Sequence, residues 1–283
     1  MTTPLFALVL LAALLHAGWN ALLKIGLDRF LTASLIQIGA GLAALLALPF
    51  VALPPAAAWP WIALSALLHI GYNAFLARAY RYGDLGQVYP LSRGSAPLLV
   101  SAVAFLALGE VLSPPALLGL GLGLLVTGLA LMALLGARRG TPPSLALLVC
   151  AFTTGTFIAA YTLADALGAR ASGNAVAYAL WLFAVNGVVA ALVLRLTRGA
   201  TAFAGLGPHW RAGLVGGVMS MLAYSLVIVA TTQAPIGLVS ALRETSVLFA
   251  LLIGVFWLHE TLPPGRICAG LAIVAGVVAI KLA

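Results

Sequence analysis

The chain has 283 residues, 64% of them hydrophobic and 7% charged, with a formal net charge of +8. Soluble domains carry roughly 25% charged residues, and 6 acids with 14 bases cannot cover a water-facing surface of this size, so a soluble domain and a disordered chain are excluded. The bases stand singly or in pairs beside apolar runs, which excludes a nucleic-acid binder, and Cys150 and Cys268 make no disulfide, metal or redox spacing.

A bilayer span takes about 20 apolar residues, and that length fits ten times, at 4–23, 32–53, 59–80, 87–108, 114–135, 144–164, 174–196, 210–231, 236–258 and 263–282. Proline, glycine or charge marks each gap, as at Pro54–Pro55, Glu110 with Pro114–Pro115, and Asp165–Arg170. The first span carries Leu-Leu-His16-Ala-Gly18-Trp19-Asn20-Ala. It is read as a membrane span and not a cleaved leader, because no basic segment precedes it. The third span echoes it as Leu-Leu-His69-Ile-Gly71-Tyr72-Asn73-Ala. Spacings of i, i+3 and i+4 put the histidine, aromatic and asparagine of each on one helix face. Polar groups are costly against lipid, so both faces are expected to look inward onto a cavity.

The fourth span holds Tyr89, Arg93 and two prolines, Pro90 and Pro97, expected to kink it. Glu110 follows, just before a helix start, where a carboxylate caps backbone N–H groups; Glu260 is read the same way. The fifth span is glycine-rich (Gly119, Gly121, Gly123) and the tenth carries Ala272 and Gly276, the pattern of a close-packed seam. Tyr161 lies in the sixth span, Tyr224 in the eighth, and Ser240, Arg243 and Glu244 in the ninth, where Glu244 is expected to help neutralise Arg243. Glu244 is read as the acid well inside a span, with Asp165 assigned to a gap.

Laid over itself at an offset of 150 residues, the chain matches without gaps: Arg93 on Arg243, Leu98 on Leu248, Glu110 on Glu260, Leu112 on Leu262 and Pro114 on Pro264. Charges inside spans are rare, so the Arg and Glu matches carry weight that Leu matches do not. The expected fold is all-α, an integral membrane protein of ten transmembrane helices in two five-helix repeats, 1–137 and 138–283. Five is odd, so the second repeat enters the membrane inverted, an arrangement common to secondary transporters with a site near the midplane.

The segments Leu106–Ala107–Leu108–Gly109–Glu110–Val111–Leu112 with Gly119 to Gly128, and Trp257–Leu258–His259–Glu260–Thr261–Leu262 with Gly270 to Gly276, resemble the EamA-type branch of the drug/metabolite transporter superfamily over nearly the whole chain. That resemblance implies a solute carrier with a central cavity lined by spans 1, 3, 4, 6, 8 and 9. The His-x-Gly-aromatic-Asn segment is similar to a subgroup associated with phosphonate utilisation.

The expected function is therefore proton-linked transport, by alternating access, of a small polar metabolite that is amino acid-like or otherwise anionic or zwitterionic. The alternatives are a carrier or flippase of a lipid-linked or sugar-type substrate, and a non-transporting scaffold. An enzyme is not expected, since Gly-x-Ser-x-Gly and His-Glu-x-x-His are absent from the sequence. Substrate contacts are assigned to His16, Trp19, Asn20, His69, Tyr72, Asn73, Tyr89, Arg93, Tyr161, Tyr224, Ser240 and Arg243, and proton coupling to His16, His69 or Glu244. No cofactor, metal or nucleic acid is expected; the partners are the solute and the bilayer, with the chain a monomer or homodimer. Odd-numbered loops hold ten bases and even-numbered loops with the termini two, Arg170 and Lys281. The positive-inside rule then puts both termini outside the cytoplasm of a bacterial-type inner membrane, whereas many members of the resembled family keep theirs inside.

Overall fold

The computed structural model describes residues 1–22, 29–83, 85–110, 115–135, 143–256 and 264–282. Glu260 and the bases Lys24, Arg138 and Arg139 lie outside them. Within the described residues every regular element is helical: α1 (Thr3–Leu22), α2 (Arg29–Ala47), α3 (Trp59–Tyr82), α4 (Leu85–Leu108), α5 (Pro115–Leu135), α6 (Leu145–Ser172), α7 (Ala175–Arg198), α8 (Thr201–Leu206), α9 (Trp210–Thr231), α10 (Ile236–Arg243), α11 (Ser246–Phe256) and α12 (Pro264–Leu282). Eight segments are long and apolar enough to cross a bilayer, and two shorter apolar helices, Gly119–Leu131 and Ile267–Ala279, bring the number to the ten expected. Leu46, Phe50, Leu106, Leu196 and Phe256 are each at least 75% exposed. Lipid is the solvent that tolerates so large an apolar surface.

Two boundaries differ from expectation. The sixth span does not stop before Asp165; α6 continues to Ser172, where Gly173 at φ 67° ends it in the left-handed conformation. Its start is capped by Ser144, whose hydroxyl accepts from the Leu147 N–H at 3.2 Å, and Asn174 caps α7 in the same way. The ninth span is not continuous. It breaks after Arg243 into α10 and α11, with Thr245 N–H bonded to Leu242 C=O and Val247 N–H to Glu244 C=O in the tighter three-residue pattern. The fourth span, by contrast, runs unbroken through Pro90 and Pro97.

Helices pack in pairs that interchange when the two halves of the chain are exchanged. α1 lies on α9 and α3 on α6; α4 lies on α6, and α1 on α10 and α11; α5 packs on α12 and α2 on α7. Glycine permits the closest approaches. A Cβ on Gly41 of α2 would sit 2.6 Å from the Cα of Gly187 on α7. The glycines of the two echoed motifs do the same work, Gly18 against the Met219 side chain of α9 and Gly71 against the Phe157 ring of α6. Both motifs are thereby held against the opposite half of the chain.

Candidate functional site

The inward faces of α1, α3, α4, α6, α9 and α10 converge on two adjoining clusters. The first is ionic. Arg93 of α4 grips Glu244 with two hydrogen bonds of 2.8 Å, Nε to Oε2 and Nη2 to Oε1. Both side chains are buried. This bidentate geometry is the strongest form of the pair, and it shows why Arg93 need not reach for the membrane surface. Glu244 is therefore hydrogen-bonded to Arg93, and it also stands within ion-pair distance of Arg243, whose Nε lies 3.9 Å from Oε1, beyond hydrogen-bond distance. Arg93 Nη1 also lies 3.1 Å from His16 Nε2, and the Trp19 indole N–H points at His16 Nδ1 across 3.3 Å. A neutral imidazole has one acceptor nitrogen, so His16 can satisfy one of these two donors at a time.

The second cluster is aromatic. His69 stacks on Tyr161 with ring centroids 4.2 Å apart, and Tyr72 and Tyr224 meet His69 and Tyr161 edge-on. His69 Nδ1 lies 2.8 Å from the Ser65 carbonyl. A carbonyl only accepts, so this nitrogen carries the proton and Nε2 is left as the acceptor. Asn20 and Asn73 donate to the carbonyls of His16 and His69, four residues back on their own helices. One amide N–H of each is thus engaged by its own backbone, which leaves the second N–H and the Oδ1 of each side chain for other partners. Ser240 is fully buried, with no hydrogen-bond partner for its hydroxyl among the described residues. The side chain of Tyr89 lies outside those described.

Arg243 joins the clusters. It is 2% exposed, its guanidinium carbon lies 5.7 Å from the centre of the Tyr224 ring, and its Nε and Nη2 have no acceptor among the described residues. The far side of Tyr224 leads to a residue that the sequence reading placed in a loop. Asp165, 1% exposed on α6, accepts from the Tyr224 hydroxyl at 2.7 Å and the Tyr178 hydroxyl at 3.1 Å, so Glu244 is not the one acid inside the spans. The nearby Arg170 made Asp165 look like part of a polar gap. The Gly173–Asn174 pair, a stop followed by a cap, was the signal that the helix runs on past both.

At one end of the bundle Glu110 accepts the Ile236 N–H that opens α10, at 2.8 Å, and pairs with Arg170 at 2.8 Å; Arg170 also donates to the Thr231 carbonyl. The ends of α4, α6 and α9 and the start of α10 are tied together there. Glu110 thus caps a helix start, that of α10.

Residues 144–282 match the model of the EamA-like transporter family. The second half of the chain is thus similar to EamA-like transporters. The EamA-like family is a branch of the drug/metabolite transporter superfamily, and the apolar helices, eight of them long enough to cross a bilayer among the described residues, agree with a multi-pass membrane protein. One solved crystal structure aligns with 100% of this chain and 98% of its own at 18% identity and a TM-score of 0.78, a likeness of fold. No curated protein matches the chain in sequence.

Proposed function

We propose that this EamA-like chain is a secondary active transporter that moves a small anionic or zwitterionic metabolite across a bacterial-type inner membrane by alternating access, linked to protons. The halves 1–137 and 138–283 are the two repeats that rock about the site. One observation carries the substrate class: Arg243 is a buried guanidinium with two N–H groups lacking acceptors, set at a helix break beside an aromatic cluster. Burying such donors without acceptors is costly, and a carboxylate or phosphonate would satisfy them. Arg93 does not compete for that role, since Glu244 already occupies it. His69, Tyr72, Tyr161 and Tyr224 supply flat walls for the rest of the solute, with His16 and Trp19 beside the ionic pair.

A thermal-stability screen of the purified protein in detergent tests this, since a ligand at a hundredfold excess over Kd stabilises the folded state by about 2.7 kcal/mol and so raises the melting point. Anionic or zwitterionic metabolites, amino acids and organophosphonates included, are expected to stabilise the wild type and not Arg243→Met. Stabilisation by neutral or lipid-like compounds alone would move the lipid-linked carrier ahead. A response unchanged in Arg243→Met would remove the guanidinium from the site.

A further inference from the structure

Four charged side chains are buried in the centre of the bundle: Arg93, Arg243, Asp165 and Glu244. With both acids ionised their charges cancel. A monoanion seated on Arg243 leaves the cluster at −1, and an uncompensated charge in so dry a place is strongly disfavoured. A proton taken up with the anion restores neutrality, and the geometry distinguishes which group accepts it. Glu244 is clamped at both oxygens by the Arg93 guanidinium, which protonation would break. His16 faces two donors, so a second ring proton would set N–H against N–H at both contacts. His69 keeps Nε2 open, but an imidazolium there would add a second positive charge near Arg243, with the face of Tyr161 and the Ser65 carbonyl around it and no carboxylate bonded to it among the described residues.

Asp165 is different. The groups around it are the Ser65 hydroxyl from α3, Tyr161 on its own helix, Tyr178 from α7, Tyr224 from α9, and the Arg243 charge from α10, with His69 next to Ser65 and Arg93 and Glu244 beyond. The hydrogen bonds it accepts come from hydroxyls. Hydroxyls rotate, so the same tyrosines that donate to a carboxylate accept from a carboxylic acid. Tyr224 also stands between Asp165 and Arg243, its hydroxyl on one and its ring against the other, so the acid cannot take the guanidinium for itself.

We infer that Asp165 is the proton carrier of this site, accepting one proton from solvent as the anionic group of the solute pairs with Arg243 and releasing it when the solute leaves. The inference rests on the proposed anion-binding role of Arg243. Linkage makes it reciprocal: what the proton does for the anion, the anion does for the proton.

The test uses full-length protein in detergent and three monoanions that do not titrate between about pH 5.5 and 8: L-lactate, methanesulfonate and methyl methylphosphonate. Calorimetric titration in two buffers of different ionisation enthalpy counts protons. About one proton per anion bound is expected, with affinity rising up to about tenfold per unit fall in pH while the acid is ionised. Asp165→Asn keeps an acceptor for the tyrosines, and is expected to bind the anion without proton uptake and without pH dependence. Binding by the wild type with no uptake, or uptake that persists in Asp165→Asn, overturns the inference and leaves the anion site standing. If none of the three anions binds, the role of Arg243 fails and this inference falls with it. Should Asp165→Asn not fold, infrared difference spectra of the folded protein decide: a protonated-carboxyl band that appears on anion binding and shifts in Tyr224→Phe, which removes a hydrogen bond to Asp165, supports the inference, and no such band, or one unmoved in Tyr224→Phe, overturns it.

Discussion

Arg93 and Glu244 stand 151 positions apart in sequence and meet at 2.8 Å through two parallel hydrogen bonds. Removing one member of such a buried pair strands the other charge, at a cost of about 3–5 kcal/mol. Arg93→Met and Glu244→Met should each destabilise by that order, while the double variant Arg93→Met/Glu244→Met recovers most of the loss. Denaturant unfolding of the four proteins as a double-mutant cycle measures this, and a double variant as damaged as the sum of the singles would show that the pair is not a unit. Arg243 predicts the opposite behaviour. With two donors unsatisfied, Arg243→Met should leave the ligand-free melting point unchanged or raise it, even as solute binding is lost. The residues behind these contrasts were legible in unequal measure. The repeat exposed Arg93 and Arg243, because charge inside an apolar run stands out. Which of them Glu244 hydrogen-bonds was not readable, since the answer depends on how α4 and α10 face each other across the bundle. Asp165 was missed for a simpler reason: an acid five residues from an arginine resembles a loop until a helix is known to carry both.

The small-residue helices offer a comparison internal to one element. A Cβ added at Gly128 of α5 would lie 2.6 Å from the Ile273 side chain and 2.7 Å from the Ala269 carbonyl on α12, whereas one added at Gly119 or Gly123 meets nothing within 4 Å among the described residues. Gly128→Ala therefore overpacks the seam and should cost about 1–3 kcal/mol. Gly119→Ala and Gly123→Ala should be neutral or stabilise by up to about 1 kcal/mol, because alanine loses less backbone entropy in a helix. Melting points of the three variants separate these outcomes; equal loss at all three would mean that glycine serves the helix itself and not the seam. The pairing of the fifth and tenth spans was readable from composition, but not which glycines face the partner, since α5 is apolar all round and offers no polar face to fix its rotation. The break between α10 and α11 was likewise hidden. Neither proline nor glycine stands at Arg243–Glu244–Thr245, so the interruption belongs to the tertiary setting. Pro90 and Pro97, which do mark α4, fail to interrupt it.

At the scale of the whole molecule the remaining prediction concerns direction in the membrane. Arg78 and Arg81 stand at the end of α3, Arg195 and Arg198 at the end of α7, and Arg211 at the start of α9. If each span crosses once, these five bases share one side, and Arg170, at the end of α6, lies on the other. Lys and Arg are retained on the cytoplasmic side during insertion, and the rule counts those in short loops near span ends. The connections here are short enough to qualify, the longest expected one covering 197–209. The end of the bundle closed by Glu110 and Arg170 would then face outward, together with both termini. Alkaline phosphatase fused after Ala283 should be active and green fluorescent protein at the same position dark, because the first folds outside the cytoplasm and the second inside. Fusions after Gly83, in the loop that follows Arg78 and Arg81, should give the reverse pair. Fluorescence at the carboxyl terminus with a silent phosphatase would set the arginine-rich end outside and reverse the orientation. It would also require that something other than loop charge directs insertion, the first span being the place to look, since it enters before any of those bases emerges.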